Sequence, residues 1–140
     1  MSRIFWDTNI FIYLFENYGA ESKAVASLRE RMLNRGDQLI TSTMTVGEIL
    51  VKPRAAQDSK LCKEYEDAIT STAQVIPFDL NVARRFSVLR LNRALRSPDA
   101  IQLACAGNAN VDVFITNDDR LHGLQVDGVQ FIVPLNLVPF

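Results

Sequence analysis

Cysteine is scarce in this chain: Cys62 and Cys105 are the only two, 43 positions apart. They form no C-x-x-C pair and no finger spacing, which leaves no thiolate zinc module. Each lies in a helical segment among apolar residues and reads as a buried free thiol of a reducing compartment; a disulfide between them stays open. Histidine is scarcer still. His122 stands alone, without a second imidazole or a general-base geometry, and reads as structural or exposed. Proline and glycine together number 11, too few for a collagenous or linker-like chain. No run of about 18 apolar residues exists to span a membrane. The apolar N-terminal stretch is interrupted by Asp7 and Asn9 and followed by Glu16, so it lacks the core of a secretory signal, and the expected location is cytoplasmic. Neither sign of charge dominates. Fifteen Lys and Arg against 16 Asp and Glu give a net charge of -1, which neither supports nor excludes a nucleic-acid partner.

What is present is a globular composition, 48% hydrophobic and 22% charged over 140 residues. That is enough for one domain, residues 1–140, to bury a core without disulfides or a structural metal. Ile4-Phe5-Trp6 reads as a buried strand ending at Asp7, with Trp6 in the core. Thr8 or Asn9 is the expected cap of a helix over Ile10 to Phe15, broken at Asn17-Tyr18-Gly19. Val25, Leu28 and Met32 mark one face of a helix over 22–34, and Gly36 stops it. Gln38–Thr41 is the next strand. Ser42 or Thr43 caps the helix that carries Glu48, which Pro53 limits. A third apolar stripe covers 58–72, and Val75-Ile76 is a short strand. Asp79 caps a helix with Val82, Phe86 and Leu89 on its inner face. Ser97 at N-cap and Pro98 at N1 start a helix to about Ala109, apolar nearly all round and therefore covered. Val113–Thr116 and Val129–Val133 complete the strands. Strands alternating with helices predict an α/β chain with a mostly parallel sheet, and right-handed crossovers put helices on both faces as an α/β/α sandwich.

In such sheets ligands bind beyond the carboxyl ends of the strands. Asp7 and Asp118 follow strands directly, Asp99 is expected at N2 of its helix, and Glu48 lies in the first turns of a helix that follows a strand. Taken singly, each has a plain explanation as a turn acid, a solvated helix residue or a dipole-favoured acid. Taken together, the four map to one rim. Gathered carboxylates repel one another and resist desolvation, and a hard divalent cation relieves both. Mg²⁺ fits an all-oxygen set, Mn²⁺ also suits it, and either supplies the chemistry of phosphodiester hydrolysis.

The motifs in series are Asp7-Thr8-Asn9 after an apolar strand, Ser42-x-x-Thr45-x-x-Glu48, Ser97-Pro98-Asp99-Ala100-Ile101, and Thr116-Asn117-Asp118 followed by Leu121. Over nearly its whole length the chain resembles the PIN-domain nucleases, and in particular the compact VapC-like toxins of type II toxin–antitoxin modules. The resemblance implies a five-stranded parallel sheet between helices. It implies an acidic quartet of Asp7, Glu48, Asp99 and Asp118 that coordinates Mg²⁺ or Mn²⁺. It further implies that Thr116 orients the quartet and that Thr8 and Asn9 fix the turn at Asp7. It implies endoribonuclease activity with RNA as substrate, a homodimer as the assembly, and a cognate antitoxin as the partner. Asp119 adjoins Asp118 and competes with it for the fourth place. Residues 80–98 carry Arg84, Arg85, Arg90, Arg93 and Arg96 and no acid, a local charge of +5. A solvated helix face explains this as well as a phosphate-binding flank does. In the second reading Arg96 is the foremost RNA contact, with Arg93 and Arg85 beside it and Lys52 and Arg54 extending the patch. The alternatives are a PIN-type nuclease of RNA processing or quality control, a non-catalytic RNA- or protein-binding domain, and a phosphatase or phosphotransferase. The last wants a second acid two residues after Asp7, where Asn9 stands.

Overall fold

The computed structural model describes all 140 residues. The elements are β1 (Arg3–Trp6), α1 (Thr8–Phe15), α2 (Ala20–Arg35), β2 (Gln38–Ser42), α3 (Thr43–Ala55), α4 (Ser59–Thr72), β3 (Gln74–Ile76), α5 (Leu80–Leu89), α6 (Ser97–Asn108), β4 (Val111–Ile115) and β5 (Val129–Val133). Short 3₁₀ turns cover Asp119–Leu121 and Leu135–Leu137. The five strands form one sheet in the order β3-β2-β1-β4-β5, and every pairing is parallel. Strand alternation divides the core between the two faces. Ile4, Trp6, Leu39, Val113 and Ile115 pack on α1 to α4 through Phe11, Leu28, Ile49 and Ile69. Phe5, Ile40 and Phe114 face the other way, onto Val82 of α5 and Leu103 of α6. The result is the expected three-layer α/β/α sandwich. Both cysteines are free and buried, and burial pushes the Cys105 thiol up to about 12, so it is inert. No helix is long and apolar enough to cross a membrane.

Several local boundaries differ from the sequence expectation. Asp7 itself, not Thr8 or Asn9, caps α1: its carboxylate accepts the Thr8 amide at 2.8 Å. Asp7 is therefore the single residue between β1 and α1. The N-cap of α6 is Arg96, so Ser97 occupies N1, Pro98 N2 and Asp99 N3. Arg96 has extended backbone and makes no side-chain cap, and Pro98 needs no amide partner at N2. Pro53 sits inside the last turn of α3, which runs to Ala55. β4 begins at Val111, earlier than Val113, because Val111 pairs with Val129 of β5. Gly36 ends α2 as expected, in the left-handed conformation at φ 74°.

Candidate active site

The strand order reverses between β1 and β4, and at such a switch point the loops part and leave a crevice at the carboxyl ends. Asp7 leaves β1 here, and Thr116 to Asp118 leave β4. A cleft of about 220 Å³ at this place is lined by Asp7, Glu48, Asp99 and Asp118, with Thr8, Asn9 and Gln102 between them. The structure thus gathers the four acids that the sequence mapped to one rim. Asp119 is not among them. Its side chain is 99% exposed, lies 3.6 Å from His122 Nδ1, and borders a different depression with Asn117 and Leu135. His122 is partly buried, with Nε2 2.8 Å from the Thr116 carbonyl oxygen, which fits a structural role.

Each acid is held individually. Asp7 is buried; Oδ2 accepts the Thr116 hydroxyl at 2.8 Å, and Oδ1 accepts the Thr8 amide and, at 3.2 Å, the Gln102 carboxamide. Burial nevertheless raises its pKa, against the pull of those donors, and the charges of Glu48 and Asp99 push the same way. Thr116 is the hinge of the cluster: its hydroxyl oxygen also accepts the Asp118 amide at 3.0 Å and Asn9 Nδ2 at 3.2 Å. Asn9 in turn accepts the Asn117 amide at 3.3 Å, so the α1 start and the loop after β4 are tied together. Glu48, exposed on α3, accepts the Thr8 hydroxyl at 2.6 Å. Asp99 is raised by burial and by Asp118, with Arg120 and Arg96 opposing. Asp118 is lowered, chiefly by its hydrogen bond from Arg120.

Two side chains that touch the acids escaped the sequence reading. Gln102, buried in α6, sits behind the cleft and donates to Thr45 Oγ1 at 2.7 Å and Thr8 Oγ1 at 3.1 Å as well as to Asp7, while Ser42 donates to its carbonyl. Its only sequence signal was a polar residue on an otherwise apolar helix. Arg120 lies outside the arginine-rich stretch, yet it is the cation in direct contact with the acids. Of the expected RNA contacts, Arg96 lies close enough for its charge to be felt at both Asp99 and Asp118. Arg93 and Arg54 are exposed. Lys52 pairs with Glu16 in a groove that Glu48 also borders. Arg85 lies apart, against Asp127 in a separate depression with Val88.

As the side chains stand, no three acidic, histidine or cysteine groups converge closely enough to chelate one ion. The donor chemistry nonetheless fits a hard divalent cation. All four groups are carboxylates, and Asp7 and Glu48 have no cationic partner of their own. The PIN domain family model matches residues 4–126, and the chain belongs to that family. Among solved structures, a Klebsiella pneumoniae toxin–antitoxin complex contains a chain 26% identical to it, with TM-score 0.64, covering 93% of this chain and 99% of that one. The VapBC2 complex of Rickettsia felis, bound to a promoter DNA fragment, matches at TM-score 0.74 and 13% identity over 94% and 98% of the two chains. DNA-bound VapBC of Salmonella typhimurium matches at TM-score 0.71 and 20% identity over 96% and 99%. No curated protein matches the sequence.

Proposed function

We propose that this protein is a divalent-metal-dependent endoribonuclease and the toxin of a toxin–antitoxin pair. The observation that carries the catalytic reading is the convergence of Asp7, Glu48, Asp99 and Asp118 on one cleft at the sheet's switch point. Asp7, Asp99 and Asp118 would hold Mg²⁺ or Mn²⁺, with Glu48 joining directly or through water. The ion, when bound, supplies Lewis-acid polarisation of the phosphoryl group and a more acidic water. The chain's own residues do the positioning. Thr116 and Gln102 fix the carboxylate plane of Asp7, and Thr8 aims Glu48 at the cleft mouth, where it orients the attacking water. Arg96, with Arg93 near it in sequence, offers the phosphate backbone a cationic flank beside an otherwise repulsive acidic centre. The toxin role, with a cognate antitoxin, rests on the likeness to the Klebsiella complex together with the family membership, and the homodimeric assembly on the sequence resemblance alone.

The test is cleavage of total cellular RNA by the purified protein with Mg²⁺, with Mn²⁺ and with chelator, using D99N as control. Cleavage that needs metal and is lost in D99N supports the reading; RNA that stays intact under every condition overturns it. Growth arrest on expression, relieved by a small protein encoded next to this one, supports the toxin role. Cleavage without toxicity favours a nuclease of RNA processing.

A further inference from the structure

The four acids of the cleft are not equivalent in charge compensation. Asp7 and Glu48 are held by hydroxyls and amides alone. Asp99 and Asp118 share one guanidinium. Arg120 Nε donates to Asp118 Oδ1 at 2.9 Å, Nη2 donates to Asp118 Oδ2, and the same Nη2 lies 3.3 Å from Asp99 Oδ2. The fork on Asp118 is bidentate, the strongest geometry for this pair. Its base is anchored: Arg120 belongs to the 3₁₀ turn Asp119–Leu121, whose Leu121 is buried and whose first turn is capped by Asp118. Its end is held by these two acids and lies toward solvent: the Arg120 side chain is 50% exposed against 18% and 21% for the two acids. A cation therefore sits on the solvent side of two partly buried carboxylates, and those carboxylates are its only ion-pair partners.

We propose that Arg120 is an exchangeable counter-cation of this site, holding Asp99 and Asp118 together in the metal-free protein and giving way when a divalent ion enters. The inference rests on the metal reading above and adds a consequence to it. Two of the ligands already share one cationic charge, so an incoming ion must displace the guanidinium from Asp99 before that carboxylate can join Asp7. Arg120 thus lowers metal affinity while protecting the metal-free cleft from the mutual repulsion of its acids. Release leaves its turn in place, because Leu121 and the Asp118 cap do not depend on the guanidinium.

Mn²⁺ titration of the whole protein, followed by the electron-paramagnetic-resonance signal of free Mn²⁺, tests this in wild type, R120Q, R120K and D99N. Replacing an exposed pair relieves competition worth roughly a 1.5- to fivefold change in an equilibrium. R120Q is expected to bind Mn²⁺ tighter by about that factor, with R120K between it and wild type. In chelator, R120Q is expected to melt below wild type, and its melting temperature is expected to rise more on adding Mn²⁺. Equal or weaker Mn²⁺ binding by R120Q overturns the exchange, since Arg120 would then support the ligands or do nothing. If R120Q does not fold, R120K carries the same comparison. Wild type that binds no more Mn²⁺ than D99N overturns the metal reading itself, an outcome distinct from wild type and R120Q binding alike.

Discussion

Gln102→Leu is the most informative single substitution away from the acids. Gln102 is 2% exposed, and leucine nearly matches its volume, so the cavity contribution is small and the polar one stands out. The carboxamide accepts from Ser42 and donates to Thr45, Thr8 and Asp7. Thr45 keeps its contact with the Thr8 hydroxyl at 3.3 Å, and Asp7 keeps the Thr116 and Thr8 donors. What is lost outright is the acceptor of the buried Ser42 hydroxyl and one of the donors that offset the buried charge of Asp7. Unpaired buried groups cost about 1–3 kcal/mol each, so Q102L is expected to lose about 2–4 kcal/mol of folding stability. Urea denaturation in chelator, followed by far-ultraviolet circular dichroism, measures this. Q102E places a further acid beside Asp7 and should lose more at neutral pH. A loss for Q102L within about 0.5 kcal/mol, the scale of an ordinary surface change, would refute the view that this amide is the hidden support of the site.

D7N is expected to lower RNA cleavage by at least about a hundredfold while the fold remains. In chelator it should melt no lower than wild type, because it removes a buried charge that Glu48 and Asp99 repel; a clear drop would contradict this. D118N and D119N separate the neighbouring acids: the first should lose cleavage and the second keep near-wild-type rates, since only Asp118 lines the cleft. Equal loss in both would reopen the assignment. Asp37 supplies a pH test. Burial alone would raise its pKa, but hydrogen bonds from Arg35 and the Ser2 amide, with the charges of Arg35 and the N-terminus, bring it below the usual carboxylate range. Its contribution is therefore present at neutral pH and lost as pH falls through that lowered value. D37N should be less stable than wild type by about 1–2 kcal/mol near pH 7, and the gap should close in acid below about pH 4. Urea midpoints measured against pH decide it.

By itself the sequence determined the layers and the rim. Apolar runs that stop at Asp7 and near Thr116, and helices written with a 3.6-residue period between them, leave little choice but a parallel α/β sandwich. In that sandwich strand-end acids share an edge. The order of the strands, and with it the position of the crevice between β1 and β4, came from the tertiary structure. So did the choice of Asp118 over Asp119. A one-residue difference in a short 3₁₀ turn sends one side chain into the cleft and the other to solvent, and no periodicity records it. Gln102 and Arg120 escaped for a related reason. A buried amide and a surface arginine acquire meaning only from partners far away in the chain, Asp7 95 positions from Gln102 and Asp99 21 from Arg120. Local patterns specify where the backbone goes; which polar groups then satisfy one another is decided when distant segments meet.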